Sequence, residues 1–186
     1  WMHRNLIVAG NFNMTNVKEL FDSLVELGQH PKELADTVTV MEKIGHFLDD
    51  AVSKIYSDLK KEGYSKIECT PLIAERLSVT KILRKAAKNW DGGYAMAGLV
   101  GHGDAFVLRD PNGIRPTFFY EDEEVVVVAS ERPVIQTVFN VNIEDVVING
   151  DSTDIYSRGG TILVQSFDDN CLTKNVAISN VKSYHG

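Results

Sequence analysis

The sequence predicts an α+β fold, in which helices and antiparallel strands occupy separate stretches of the chain. Between residues 16 and 89, apolar residues recur at three- and four-residue steps, which is the period of amphipathic helices. After residue 92 the period changes to two, and turn sequences separate the apolar runs, as in paired antiparallel strands. One apolar run, "NLIVAG" at 5–10, precedes the helices and predicts a buried strand.

The helical stretch divides into three predicted helices. In the first, Asn16 is expected to cap the N-terminus, with Glu19 as the return partner of a capping box, and Gly28 ends the helix. The loop that follows contains Pro31. The predicted helices span 16–27, 37–62 and 72–89.

The second half of the chain predicts hairpins and one short helix. The turns "HGD" and "EDE" each join two strand-like runs. "ERPVIQTVF" predicts a helix with Pro133 in its first turn. The predicted strands are 93–101, 105–110, 115–120, 124–130, 159–167 and 175–181.

Composition restricts the class of protein. The 186 residues, 44% apolar and 24% charged, fit one globular domain. A net charge of −7 argues against nucleic acid or an anionic membrane as partner. No apolar run approaches the roughly 18 residues that span a bilayer, and no signal-peptide pattern is present. Cys69 and Cys171 lack metal-ligand spacing, so we interpret both as structural or incidental. Two cysteines are too few for a disulfide scaffold, so we expect a cytoplasmic protein.

The segment "GNFNMTN" at 10–16 allows two interpretations. It fits a strand–turn–helix connection in which asparagine supplies left-handed geometry and a helix cap. It also fits a site where an Asn side-chain amide and an adjacent backbone N–H converge, which is what the oxyanion of an acyl transfer requires. Local sequence alone favours the turn.

Three further observations concern chemistry. "RDPNGIRP" at 109–116 is typical of a turn, and its two arginines are able to bind an anion or to pair with the acids at 121–124. His102 and Asp104 lie at a hairpin tip and are too sparse for a metal or catalytic site. No Ser, Thr or Cys has a recognisable nucleophile setting.

Three stretches together resemble the N-terminal glutaminase domain of the amidophosphoribosyltransferase family: 5–21, 91–120 and 125–141. "RDPNGIRP" followed by "ASERPVIQT" is the most specific part. The resemblance implies a class II glutamine amidotransferase with the N-terminal-nucleophile hydrolase fold, an αββα sandwich of antiparallel sheets. It implies an enzyme that uses glutamine-derived ammonia and phosphoribosyl pyrophosphate to make phosphoribosylamine, in the first step of purine biosynthesis.

The resemblance also assigns site residues. The family's oxyanion hole uses the side-chain amide of an Asn and the backbone N–H of the following Gly, which match Asn11 and Phe12. Phe12 departs from the Gly of the pattern, although a backbone N–H remains. Asp36 matches the Asp that pairs with the α-amino group of glutamine, and Val38 stands where the family has Glu.

Other parts of the family pattern are missing. Residue 1 is Trp, whereas the family nucleophile is an N-terminal cysteine, and the arginine segment that binds the glutamine carboxylate is absent. The sequence 1–186 is therefore expected to be an incomplete glutaminase domain, inactive alone. The phosphoribosyltransferase domain, with its Mg²⁺, would lie elsewhere in the same polypeptide, and no cofactor is expected here. Glutamine is the expected ligand, and a homo-oligomer the expected assembly.

Two alternatives stay open. One is a non-catalytic binding or interaction module with the same sandwich fold. The other is a different class II amidotransferase, such as glucosamine-phosphate synthase or asparagine synthetase. The upstream sequence would distinguish a non-catalytic module from the enzyme, according to whether it supplies the cysteine. The identity of the downstream domain would distinguish another class II amidotransferase from the amidophosphoribosyltransferase family.

Overall fold

The computed structural model describes residues 1–140 and 164–165. A short 3₁₀ turn at Met2–Arg4 precedes the first strand. In chain order, the elements are β1 (Leu6–Met14), α1 (Val17–Glu26), α2 (Asp36–Lys61), α3 (Lys66–Arg76), α4 (Val79–Ala86), β2 (Gly92–Val100), β3 (Ala105–Arg109), β4 (Phe118–Glu121), β5 (Val126–Ala129), α5 (Arg132–Phe139) and β6 (Val164–Gln165).

The described strands form two sheets. The larger has the order β1-β2-β3-β6, and β4 and β5 form a separate antiparallel hairpin. β1 runs antiparallel to β2 from the pair Leu6–Val100 to the pair Met14–Gly92. β2 and β3 are also antiparallel, whereas the two residues of β6 pair in parallel with β3. The predicted mixture of helices and antiparallel sheet is confirmed, and the complete αββα sandwich stays a prediction.

The prediction of a turn at "GNFNMTN" is confirmed only for the last two residues, Thr15 and Asn16, which form the turn between β1 and α1. For the residues before them it is wrong. β1 continues through Asn11, Phe12 and Asn13 to Met14, and these residues pair with β2. None of the three asparagines has the left-handed backbone that the turn interpretation requires. The long antiparallel partner decides the conformation here, because cross-strand hydrogen bonds outweigh the weak local preference of asparagine for turns.

Helices α1 to α4 cover one face of the larger sheet, whereas α5 contacts β5 of the hairpin. α2 is 26 residues long, contacts β1, α1, α3 and α4, and supplies the centre of the core. Even-numbered residues of β1, such as Phe12 and Met14, face the helices, while odd-numbered residues lie exposed on the outer face. The prediction of a buried strand is therefore wrong for the outer face. The fully buried large side chains of the core include Leu24, Ile44, Leu48, Leu59, Ile73, Leu83, Tyr94, Phe106 and Leu108.

The first helix ends as predicted but begins differently. Gly28 has φ +80, and the N–H groups of Gly28 and Gln29 donate to Val25 O and Leu24 O. These two bonds are the Schellman arrangement. The predicted cap and capping box at the start of α1 are wrong, because the side chain of Asn16 does not bond to the helix.

The predicted helix at 72–89 is two helices. Leu77 is extended, and Ser78 begins α4 by accepting a hydrogen bond from Lys81 N. α3 starts earlier than predicted, at a capping box in which Ser65 and Glu68 exchange side-chain and backbone bonds. The apolar period continues across the break, so periodicity alone does not reveal it.

The remaining predictions are mostly confirmed. α2 and α5 lie within one residue of their predicted bounds, and Pro133 is in the first turn of α5. The strands around "HGD" and "EDE" form the two predicted hairpins. Of the predicted strand 159–167 only Val164–Gln165 is described, and 175–181 lies outside the described residues. Within the described part, no helix is long and apolar enough to cross a bilayer.

Candidate functional site

The free edge of β1 is the feature that brings the predicted site residues together. β2 lies on one side of β1, and among the described strands none pairs on the other. The N–H and C=O of a strand residue point to the same side and alternate along the chain. The Tyr94 N–H and C=O bond toward Asp110, so its partner Phe12 belongs to a pair without mutual hydrogen bonds. The Phe12 N–H therefore points out of the free edge.

Asn11 occupies the outer face of the sheet beside that edge. Its side chain is exposed and makes no hydrogen bond to any described residue. Asn13 stands on the same face, two residues along, and is exposed as well. The backbones of Asn11 and Asn13 pair with β2, so either side chain can be replaced without loss of a backbone hydrogen bond between the strands.

Asp36 reaches the same edge from the first turn of α2. Its Oδ2 accepts the Met14 N–H at 2.8 Å, in a half-buried contact across 22 residues of sequence. Met14 lies two residues after Phe12 in the same strand, so the N–H groups of both residues point out of the free edge. The carboxylate also lies at a helix N-terminus, where backbone N–H groups favour negative charge.

These placements define the candidate site: Asn11, Phe12 and Asp36. Strand residues advance by about 3.4 Å, so the N–H groups of Phe12 and Met14 lie about 7 Å apart along the edge. Asp36 is therefore held roughly that distance from the Phe12 N–H. The structure places Asp36 and Phe12 on one edge, with Asn11 on the adjoining face.

"RDPNGIRP" forms a closed turn. Arg109 donates from Nε to Arg115 O at 2.5 Å and from Nη2 to Gly113 O at 2.7 Å. Asp110, only 2% exposed, accepts backbone N–H groups from Tyr94, Ile114 and Arg115. The sequence pattern draws attention to the arginines, but it is Asp110 that joins β2 to the turn. Burial and the nearby Asp110 raise the pKa of Tyr94.

A cleft of about 270 Å³ lies near the same end of the sheet. None of the candidate site residues lines it, so we do not place the site there. The Trp90 indole Nε1 is buried beside it and finds no acceptor among the described residues. The cleft is lined by Arg84, Ala87, Lys88, Asn89, Trp90, Tyr94 and Pro111.

Two histidines and one aspartate form a partly buried cluster near the start of β1. His102 Nε2 lies 3.0 Å from Asp104 Oδ2, and the His102 and His3 rings are 5.6 Å apart. Burial and, second, the nearby His102 lower the pKa of His3. Among the described residues, no three potential ligands are placed to hold a metal ion. The sequence predicts only a hairpin turn at His102 and Asp104. It does not reveal that His102 packs against His3, which lies 99 positions earlier in the sequence.

The described residues offer no exposed nucleophilic thiol. Cys69 is free and completely buried in α3, where it belongs to the hydrophobic core. Its burial agrees with the structural role that the sequence predicted. Cys171 lies outside the described residues.

Comparisons with known proteins find similarity at the level of fold. No protein-family model matches the chain, and no curated protein does. Among solved structures, the chain is similar to glutamine phosphoribosylpyrophosphate amidotransferase from B. subtilis, complexed with ADP and GMP. The TM-score is 0.50 and the sequence identity 22%, over 72% of this chain and 23% of that chain.

This similarity establishes a fold relationship to an amidotransferase structure. At 22% identity it does not transfer activity or site residues. The chain also spans less than a quarter of the length of that protein. The roles of Asn11, Phe12 and Asp36 are therefore argued from their own geometry.

Proposed function

We propose that this chain is part of the glutaminase domain of a glutamine-dependent amidophosphoribosyltransferase. The observation that carries the proposal is the carboxylate of Asp36, fixed on the free edge of β1 near the outward Phe12 N–H. The fold relationship to an amidotransferase supports the same class of protein. The domain would extend over 1–186 and continue outside this sequence.

Glutamine fits the distances along the edge. Extended glutamine spans about 5 Å from its ammonium nitrogen to its side-chain carbonyl carbon. The ammonium would bind the Asp36 carboxylate, whose Oδ1 makes no hydrogen bond to a described residue. The side-chain carbonyl then lies close to Phe12, since the edge positions are about 7 Å apart and both hydrogen bonds can slant.

The Phe12 N–H and the Asn11 amide supply the two donors of an oxyanion hole. Neither group has an acceptor among the described residues, so both are available to a ligand. The Phe12 backbone is an ordinary strand without positive φ, so the missing family glycine does not disturb it. Donors fixed before reaction stabilise the developing negative charge without reorganisation.

The nucleophile would lie outside this sequence. A thiolate attacks the glutamine side-chain carbonyl, a thioester forms, and ammonia leaves; water then releases glutamate and regenerates the thiol. Cys69 cannot perform the attack because it is buried in the core. Since removing a nucleophile leaves only residual catalysis, the chain alone is expected to release no ammonia above the buffer rate.

The remaining features belong to the same proposal. The outer face of the larger sheet, with Ile7 and Leu99 exposed, would receive a second sheet in the αββα sandwich. A phosphoribosyltransferase domain elsewhere in the polypeptide would bind Mg²⁺ and phosphoribosyl pyrophosphate and consume the ammonia. We propose a cytoplasmic homo-oligomer.

Asn11 and Asn13 provide a matched test in the full-length gene product. Glutamate release from glutamine should be measured for wild type, Asn11→Ala and Asn13→Ala. Loss of one oxyanion donor lowers kcat by about 10²- to 10³-fold, so the kcat of Asn11→Ala should be lower than that of wild type by this factor. Asn13→Ala changes a neighbouring exposed asparagine of the same face and should stay within about twofold of wild type.

Three results would count against the proposal. A wild-type protein without glutaminase activity would remove the proposed reaction. Equal activity of Asn11→Ala and wild type would remove Asn11 from the site. Glutaminase activity without phosphoribosylamine formation would instead favour another class II amidotransferase.

A further inference from the structure

Two residues that follow β1 hold the segment between α4 and β2. The Thr15 N–H donates to Asp91 O at 3.0 Å, and the Thr15 hydroxyl donates to the Asp91 carboxylate. Asn16 donates from Nδ2 to Asn89 O at 2.8 Å, and its Oδ1 accepts the Asp91 N–H at 3.3 Å. We name Thr15, Asn16 and Asp91 the β1 latch.

The β1 latch continues the β1–β2 ladder past its last pair, Met14 and Gly92. The backbones approach closely at this point. Gly92 has φ +125, and a Cβ there would lie 2.2 Å from Asn13 O. From the helical side, Lys43 Nζ donates to Lys88 O at 3.1 Å. Residues 88–91 are therefore held from both β1 and α2.

The latch adjoins the contact that fixes Asp36. Met14, whose N–H donates to Asp36, immediately precedes Thr15 in the chain. If the end of β1 separates from the segment 88–91, Met14 loses its fixed place opposite Gly92. The Asp36 carboxylate then loses its fixed distance from the Phe12 N–H.

We infer that Thr15, Asn16 and Asp91 are positioning residues that fix the end of β1 and hold Asp36 in place for the ammonium group of glutamine. This inference rests on the proposed function. None of the three residues needs to touch glutamine, because they act through Met14 and Asp36.

The solvent exposure of the three β1 latch residues indicates that they hold the end of β1 and do not support the core. Thr15 and Asp91 are exposed and Asn16 is half-buried, unlike the fully buried core beneath β1. Hydrogen bonds between exposed groups contribute little to global stability, because water replaces them when they break. Their loss should therefore appear as opening of the strand end, with the core intact.

The first experiment uses this chain and does not require activity. Amide hydrogen exchange at Met14 should be measured by NMR for wild type, Thr15→Val, Thr15→Ser and Thr137→Val. Thr15→Val removes the hydroxyl at nearly constant size, so exchange at Met14 should quicken about tenfold. Thr15→Ser keeps the hydroxyl and should restore the slow exchange. Thr137 is an exposed threonine of α5, and its valine variant should match wild type.

The second experiment uses the full-length gene product and glutamine. Thr15→Val should raise KM for glutamine about tenfold and leave kcat within about twofold, because Asp36 binds the substrate but does not react. Thr15→Ser should restore KM. Asp91→Ala should raise KM similarly, and the double variant should be no worse than the poorer single variant, since both remove one shared bond.

The outcomes separate the latch from the proposed function. Unchanged Met14 exchange in Thr15→Val overturns the latch, whatever the activity. Faster exchange with an unchanged KM in an active enzyme shows that the latch does not position the site and also overturns the inference. Faster exchange in a protein without glutaminase activity refutes the proposed function, and with it the link to glutamine.

Discussion

His3 is a buried, titratable side chain whose charge state affects folding. It is 1% exposed and packs against His102, which in turn faces Asp104. Burial, followed by the repulsion of His102 and of the N-terminal ammonium, lowers the pKa of His3 below its usual 6.5, although a backbone hydrogen bond at Thr70 opposes the shift. The folded protein therefore holds this ring neutral at pH values where the unfolded chain protonates it.

The predicted consequence is acid sensitivity beginning near pH 6.5. Above that pH neither state binds the proton, so the full stability is present. As the pH falls below 6.5, the unfolded state gains a proton first, and the free energy of unfolding decreases until the folded pKa is passed. Denaturant unfolding between pH 7.5 and 5 should show this loss in wild type and a smaller loss in His3→Gln.

His30 is the matched control for that experiment, because it is exposed. His30→Gln should follow the wild-type profile. Identical profiles for His3→Gln and wild type would show that the burial of His3 does not govern the acid response.

Single residues also show where sequence reasoning reaches its limit. Asn16 was expected to cap α1, and the local pattern with Glu19 fits a capping box. Its side chain bonds instead to Asn89 and Asp91, more than 70 positions away. Local sequence cannot reveal such a partner, because the partner is set by the register of β1 on β2. Only the family resemblance points to Asp36, and the contact of its carboxylate with the Met14 N–H depends on the fold.

At the scale of elements, Gly98 in β2 and Gly45 in α2 differ in the space around their Cα atoms. The ring of Phe106 lies over Gly98, and a Cβ at Gly98 would lie 2.2 Å from that ring. Phe106 is 1% exposed and belongs to the packed core. A Cβ at Gly45, inside α2, would meet nothing within 4 Å.

Alanine at these two glycines should therefore have opposite effects. Gly98→Ala should lower the free energy of unfolding by about 1–3 kcal/mol, because an added methyl overpacks a filled core. Gly45→Ala should raise it by about 0.5–1 kcal/mol, because alanine favours the helix. Urea unfolding of both variants beside wild type measures the difference. A stabilising Gly98→Ala would mean that Phe106 does not cover the strand as described.

Strong periodic patterns predicted the elements well, and their ends less well. α2 has about seven turns of one amphipathic pattern and lies where predicted. The prediction of one continuous helix over 72–89 is wrong, because Ser78 caps a new helix while the apolar period continues unbroken. β1 was predicted too short, since the polar residues of its second half look like a turn until β2 pairs with them.

At the scale of the whole molecule, sequence predicted the α+β class and the relationship to amidotransferases. Helices packed on one face of an antiparallel sheet confirm the class, and the similarity to a solved amidotransferase supports the relationship at the level of fold. The parallel pairing of β6 with β3 was not expected. A two-residue strand that pairs across more than 50 positions leaves no periodic signal in the sequence.

Asp36, the group that would bind the ammonium of glutamine, is central to the proposed site. Its most direct test is KM for glutamine in the full-length gene product with Asp36→Asn. The amide oxygen can still accept the Met14 N–H, so the fold is preserved while the charge is lost. Asp22→Asn, an exposed change in α1, is the matched control.

We predict that Asp36→Asn raises KM about 10- to 100-fold, as expected when a hydrogen-bonded charge partner is removed. Asp22→Asn should leave KM within about twofold. An active Asp36→Asn enzyme with the wild-type KM would contradict the placement of glutamine on the β1 edge.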